Sequence, residues 1–174
     1  MKRFRIGVIG SGAIAQHRQD RQALMMNQGE AHSNLPQISV RNLQRAVRVN
    51  IGALQESAAK AFRLCLCTRS KQPTALSTLP EVQVMLVSDR RMAALHRRFL
   101  DQSGPTDVIT FEHGEIFIST ETARRQARQF GNPLFHELEL YVVHGLLHLH
   151  GFDDRSGREA RRMKAMQEKI LKKL

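Results

Sequence analysis

The sequence has few aromatic residues, only two thiols and no long apolar run. It contains no tryptophan, one tyrosine and eight phenylalanines, so base recognition on a broad aromatic platform is not indicated. Its two cysteines, Cys65 and Cys67, have no second Cys or His pair nearby, which predicts buried free thiols rather than a zinc site. No apolar stretch is close to the length of about 20 residues that a membrane-spanning helix needs. The N-terminal segment lacks a clear secretory cleavage pattern. These features favour a cytoplasmic protein.

Positive charge is what the sequence has in excess. Twenty-seven Lys and Arg residues against sixteen Asp and Glu residues give a formal net charge of +11. Such an excess raises the local concentration of polyanions and favours nucleic acid or the ribosome as a partner. The alternative is a solvated basic surface without a particular partner. With 174 residues, 41% of them hydrophobic, the chain is expected to form one main globular domain.

The first 36 residues differ in pattern from the rest of the chain. Residues 4–15 predict a strand and a glycine-rich turn, in which Gly10, Gly12 and Ala15 match the loose dinucleotide fingerprint G-x-G-x-x-A. A working fingerprint needs a complete strand–helix–strand unit with an acidic residue after the second strand. The residues that follow Ala15 are polar and contain no second apolar strand. We therefore expect residues 1–36 to be an extension that binds no nicotinamide cofactor, and residues 37–174 to form the functional domain.

Beyond residue 36 the periodicity of apolar residues predicts an α+β fold. Strands are expected at residues 37–41, 82–87, 108–111 and 116–119, the last two forming a hairpin. Helices are expected at residues 54–67, 89–100, 120–130 and 133–149, with a last helix beginning at residue 156. The segment KQPTALSTLP, residues 71–80, is expected to be a loop. The predicted architecture is a small mixed β-sheet packed with helices around a central, mostly apolar helix.

Capping residues mark the ends of several of these helices. Asp89 is a candidate cap for the helix that starts beside it, and Asn132 is a candidate cap for the central helix, with Pro133 in its first turn. Gly151 is expected to end the central helix. Ser156 and Glu159 form a capping box for the last helix.

The central helix and the turn after it carry the strongest chemical signal, in the segment HGLLHLHGFDD at residues 144–154. His144 and His148 are one helical turn apart and can reach one ion. A turn at Gly151 would allow Asp154 to return as a third ligand, in a pattern that resembles the extended zinc motif of metzincin peptidases. Three protein ligands leave a position for water, whose pKa zinc lowers to about 7. The predicted catalytic group is this zinc-bound water, with no side-chain base assigned.

Neighbouring residues leave alternatives open. Two histidines on a helix can also be ordinary core or surface residues, and Asp153 is a substitute ligand if the turn differs by one residue. His150 points away from the pair on a regular helix. Glu137, seven residues before His144, is a candidate to orient a ligand from outside the coordination sphere. The peptidase motif has a glutamate base where this chain has Gly145, which argues against peptide hydrolysis.

Taken together, the segment at 144–154, PTDVITF at 105–111 and GEIFIS at 114–119 resemble the YbeY family of bacterial endoribonucleases, the rRNA maturation factors. The resemblance extends more loosely from about residue 38 to the C-terminus. It implies an α+β domain, one metal ion, zinc by expectation, and cleavage of single-stranded RNA. It also implies work on the 3′ end of small-subunit rRNA and in ribosome quality control.

This chain departs from the family pattern at three positions. Asp154 stands where the family usually has a third histidine, Leu100 where it usually has a functional arginine, and Glu115 where it usually has an aspartate. Candidate RNA contacts are the arginines of two predicted helices: Arg97, Arg98, Arg124, Arg125 and Arg128. The leading hypothesis is therefore a metal-dependent endoribonuclease. The alternatives are a ribosome-assembly or RNA-binding factor with weak or no catalysis, and a zinc hydrolase of another substrate such as peptide.

Overall fold

A computed structural model of the chain describes residues 8–9, 37–69 and 73–174. The fingerprint residues Gly10, Gly12 and Ala15 lie outside the described residues, so the expectations attached to them stay predictions. Within the described ranges, no helix combines the length and apolar character needed to cross a bilayer.

The described residues form five strands and six helices. The strands are β1 (Val8–Ile9), β2 (Gln37–Asn42), β3 (Glu81–Val87), β4 (Val108–Phe111) and β5 (Glu115–Ser119). The helices are α1 (Ile51–Leu66), α2 (Ala75–Thr78), α3 (Asp89–Leu100), α4 (Thr120–Phe130), α5 (Leu134–Leu149) and α6 (Gly157–Leu171).

The strands form one mixed sheet in the order β1-β4-β5-β3-β2. β4 and β5 pair in antiparallel fashion as the predicted hairpin, with Val108 opposite Ile118 and Thr110 opposite Ile116. The pairs β2–β3, β3–β5 and β1–β4 are parallel. The predicted α+β class with a mixed sheet is confirmed.

Each face of the sheet is covered by different helices, because successive residues of a strand point to opposite faces. Leu86 and Ile118 belong to a large apolar cluster with residues of α1, α5 and α6, whereas Met85 and Phe117 belong to a smaller cluster with residues of α3. α5 is buried along nearly its whole length. The predicted central, apolar helix is therefore the main packing element of the domain.

Four local predictions need correction. A short helix, α2, lies within the segment expected to be a loop. Ser88 caps α3, accepting from the Arg91 backbone, and Asp89 is its first helical residue. Pro133 is the N-cap residue of α5. Asn132 instead donates its side-chain amide to Glu137 Oε1 at 2.8 Å. Cys65 is buried as predicted, but Cys67 at the end of α1 is exposed.

Candidate metal centre

α5 brings His144 and His148 together inside the protein. The two residues are one turn apart, and their Nε2 atoms lie 3.1 Å from each other. Their ring centroids are 4.7 Å apart. Both side chains are 3% exposed, because α5 is enclosed by α1, α4, α6 and the sheet. The pair is thus held at a fixed spacing with little access to water.

The chain after α5 turns back and delivers a carboxylate to the same place. Gly151 has a φ of +83°, a left-handed conformation that glycine adopts without steric cost. Backbone bonds from Gly151 N to His148 O and from Phe152 N to Leu147 O close the turn. Asp154 Oδ2 then lies 3.8 Å from His144 Nε2, and Oδ1 lies 3.9 Å from His148 Nε2. We call His144, His148 and Asp154 the histidine cluster.

The outer nitrogen of each imidazole has an oxygen partner. His148 Nδ1 donates to the Phe152 carbonyl at 3.1 Å, and His144 Nδ1 donates to Gln167 Oε1 at 2.8 Å. A neutral imidazole that donates from Nδ1 presents a lone pair at Nε2. The two Nε2 lone pairs therefore face each other beside a carboxylate, an arrangement that a bound cation stabilises.

The donor set fits a divalent metal ion. One nitrogen from each histidine and one carboxylate oxygen all lie within 4.8 Å of one another. Two nitrogens bound to one tetrahedral zinc at 2.0–2.1 Å would stand about 3.3 Å apart, close to the 3.1 Å between the Nε2 atoms. The three residues could therefore hold one ion with small adjustments of the Asp154 side chain.

Burial keeps the two imidazoles in the form that binds metal. Desolvation lowers the pKa of His144 to about 3, and the nearby His148 acts in the same direction. Desolvation also lowers the pKa of His148, against the attraction of Asp154, and raises the pKa of the Asp154 carboxyl group. Metal binding requires neutral imidazoles, so neither histidine has to lose a proton near neutral pH.

Two neighbours considered in the sequence have other contacts. The Asp153 carboxylate accepts from the backbone N–H and the guanidinium group of Arg155, so Asp154 is the acid that reaches the histidines. His150 lies 3.2 Å from both Thr74 Oγ1 and the Thr68 carbonyl oxygen. His150 therefore links the end of α5 to the segment between α1 and α2. Asp153 is not needed as a substitute for Asp154 in the candidate ligand set.

Gln167 was not anticipated from the sequence. It lies on α6, is buried, and accepts from His144 Nδ1. Glu137 is fully buried on α5 and hydrogen-bonds with Asn132 and Tyr141. The sequence did offer a signal for Gln167. It is a polar residue on the otherwise apolar face of α6, which also carries Met163 and Met166.

Gly145 occupies a position with no room for a side chain. A Cβ atom there would lie 2.8 Å from Ile116 Cγ2 and 3.1 Å from Thr110 Oγ1. Glycine therefore lets α5 approach the β4–β5 hairpin closely. A glutamate side chain at this position would clash with the β4–β5 hairpin. This strengthens the argument against the hypothesis of peptide hydrolysis.

The candidate RNA-binding arginines are placed differently. Arg97, Arg98 and Arg128 are exposed on α3 and α4, and Arg124 is half-buried. Arg98 lies over the Phe99 ring at 5.3 Å from its centroid. Leu100 is half-buried against the smaller apolar cluster beneath α3. It therefore makes apolar contacts at the position where the family usually has an arginine.

Arg125 is engaged in a second polar cluster, where α3 and α4 begin. The Asp89 carboxylate accepts from Ser119 Oγ at 2.5 Å, Thr122 Oγ1 at 2.8 Å and Arg125 Nη1 at 2.5 Å. These hydrogen bonds lower the pKa of Asp89, against its partial burial. We call Asp89, Ser119, Thr122 and Arg125 the Asp89 cluster. The guanidinium group of Arg125 therefore already has a carboxylate partner within the chain, that of Asp89.

Fold and donor set together define an α+β domain with a two-histidine, one-carboxylate candidate metal centre. The family model described as Endoribonuclease YbeY matches residues 39–174. The chain belongs to this family.

Individual relatives agree with this assignment, and a solved structure has a similar fold. The Rhodococcus opacus endoribonuclease YbeY is 36% identical over 136 residues, which cover 67% of this chain and 73% of the relative. The Frankia alni endoribonuclease YbeY is 35% identical over 116 residues, 55% of this chain and 64% of the relative, so that match spans just under two thirds of its length. The solution structure of TM1509 from Thermotoga maritima has a TM-score of 0.56 at 26% identity and covers 78% of this chain and 87% of that one.

Proposed function

We propose that residues 37–174 form a zinc-dependent endoribonuclease that cleaves single-stranded RNA in the cytoplasm. The observation that carries this proposal is the pair of Nε2 atoms 3.1 Å apart beside Asp154, in a chain whose residues 39–174 match the endoribonuclease family. We further propose that its substrate is the 3′ end of small-subunit rRNA and that it acts in ribosome maturation and quality control.

Each residue of the centre has a distinct task in this proposal. His144 and His148 hold the ion through neutral Nε2 atoms, while Asp154 adds a negative charge that partly neutralises it. A divalent ion bound there would supply Lewis-acid stabilisation of the negative charge that develops as phosphorus is attacked. Burial of both imidazoles excludes water from their outer side and fixes the direction of their lone pairs.

The substrate would be held by charge on the neighbouring helices. Arg97, Arg98 and Arg128 are exposed and available to phosphate oxygens. Arg125 is expected to contribute less, because Asp89 already binds it. The net charge of +11 adds a long-range attraction for RNA.

Cleavage of a single-stranded RNA by purified protein, with and without added zinc, tests the proposal. We expect His148→Ala to lose both the bound ion and the cleavage, and an Arg155→Ala protein, changed at an exposed residue near the centre, to retain both. Equal cleavage by wild-type and His148→Ala protein would contradict the proposed activity.

A second candidate function is RNA binding in ribosome assembly with weak or no catalysis. Leu100, packed among apolar residues where the family usually has an arginine, favours it. Under this alternative, salt-dependent RNA binding would survive His148→Ala and no cleavage would be detected with the wild-type protein.

A further inference from the structure

We propose that Gln167 is a positioning residue that fixes the orientation of His144 and thereby sets the metal affinity of the centre. This inference rests on the proposed metal site and adds a residue of α6 to it. Gln167 Oε1 accepts from His144 Nδ1 at 2.8 Å. Gln167 as a whole is 4% exposed, so water does not readily replace its side chain as the acceptor.

The position of Gln167 explains why this contact matters. An imidazole can rotate about its side-chain bonds and can carry its proton on either nitrogen. An acceptor at Nδ1 selects the tautomer whose Nε2 lone pair faces His148 and Asp154. Outer partners of this kind orient metal-binding histidines, and their loss typically weakens metal binding about 10- to 100-fold.

The two histidines are oriented by different means. The partner of His148 is the backbone carbonyl of Phe152, which the turn after α5 fixes and which no side-chain substitution removes. The partner of His144 is the side chain of Gln167, which lies 23 positions later in the chain. His144 therefore depends on the packing of α6 against α5 in a way that His148 does not.

A neutral amide also suits the charge of the centre. With two neutral imidazoles and the Asp154 carboxylate, the donors carry one negative charge in a largely buried site. Gln167 accepts a hydrogen bond without adding a second negative charge to the metal-free interior, where an uncompensated charge is costly. The structure therefore assigns to Gln167 orientation, not neutralisation.

Three variants test the inference, with zinc and cobalt ions as probes. Gln167→Met keeps the length of the side chain and removes the acceptor, Gln167→Glu keeps an oxygen at the same distance, and Met163→Ala loosens the contact between α5 and α6 one turn away. Met163 is fully buried and belongs to the apolar cluster. The measurements are the zinc dissociation constant, by competition with a chelator, and the visible spectrum of the cobalt-loaded protein.

We expect Gln167→Met to weaken zinc binding about 10- to 100-fold and to alter the cobalt spectrum. Gln167→Glu should retain binding within a few-fold, and Met163→Ala should lower the unfolding temperature while leaving metal affinity and spectrum close to wild type. Wild-type affinity and spectrum in Gln167→Met would overturn the inference, and so would equal weakening by Met163→Ala.

The same measurements separate this inference from the proposed function. A wild-type protein that binds zinc tightly and cleaves no RNA would overturn the nuclease activity and leave the role of Gln167 standing. A wild-type protein that binds neither ion would overturn both.

Discussion

The histidine cluster and the Asp89 cluster both bring polar side chains together from separate elements, but they differ in how their charges are balanced. In the Asp89 cluster a carboxylate accepts from two hydroxyl groups and a guanidinium group, so donors and acceptors match. In the histidine cluster two Nε2 lone pairs and a carboxylate, all acceptors, face one another. The first arrangement is complete within the chain, whereas the second would gain stability from a bound cation.

This difference separates a structural cluster from a candidate functional one. A polar cluster that satisfies itself joins α3 to α4 and needs no ligand. A cluster of like acceptors that is mostly buried persists because the surrounding fold holds it in place. Four predictions test the contrast, in order of decreasing effect.

The largest effect is expected from zinc on the stability of the wild-type protein. Free zinc at a thousandfold excess over its dissociation constant should stabilise the fold by about 4 kcal/mol. His148→Ala should abolish this gain, and Asp89→Ala should leave it unchanged. Thermal unfolding with zinc and with a chelator measures the difference. If zinc still stabilised the His148→Ala protein against unfolding, the zinc-binding site would have to lie elsewhere.

A smaller effect is expected from removal of the Asp89 carboxylate. Asp89→Ala eliminates the acceptor for Ser119, Thr122 and Arg125, and should lower the free energy of unfolding by about 2 kcal/mol. The loss should be the same with zinc and with a chelator, because the Asp89 carboxylate is already matched by donors within the chain. Urea denaturation under both conditions measures it. A loss that appears only in the presence of zinc would link the two clusters.

The two clusters should also differ in the pH at which they lose stability in metal-free protein. The unfolded His144 gains a proton near pH 6.5, whereas the folded one stays neutral down to about pH 3. Stability from this group is therefore present above about pH 6.5 and falls as the pH drops below it. The pKa of Asp89 is lowered in the fold, so its contribution is full above the unfolded value of about 3.9 and falls only below it.

Urea denaturation from pH 7 to pH 3 in the presence of a chelator distinguishes these windows. The stability difference between wild type and His144→Ala should shrink between pH 7 and pH 5. The difference between wild type and Asp89→Asn should stay flat over that range and shrink below about pH 4. If the Asp89→Asn difference shrank between pH 7 and pH 5 while the His144→Ala difference stayed flat, the assignment of these two pH windows would be wrong.

The smallest effect is expected from single arginines of α4 on RNA binding. Arg128→Ala should weaken binding to single-stranded RNA and reduce the slope of log affinity against log salt by about 0.7. Arg125→Ala should change the slope less, because Asp89 already neutralises Arg125. Titrations at several salt concentrations measure both slopes, and a larger change for Arg125 would show that the ion pair opens on RNA.

Local patterns were sufficient to predict most of the elements. The period of apolar residues located the longer helices and the β4–β5 hairpin, and Ser156 marked the start of α6, where its Oγ accepts from the Glu159 backbone N–H. The errors at Asp89 and Asn132 each misplaced a helix cap by one residue. α2 has only four residues, too few for a helical period of apolar residues to show.

The amino-acid sequence by itself determined the spacing of His144 and His148 and the turn at Gly151, because both depend on bonds within one or two turns of backbone. Only the tertiary structure decided that Gln167 supports His144, that Asp89 captures Arg125 and that Gly145 lets α5 approach the hairpin. These contacts join residues 23 to 36 positions apart. No local pattern encodes them, since they exist only once the helices have packed on the sheet.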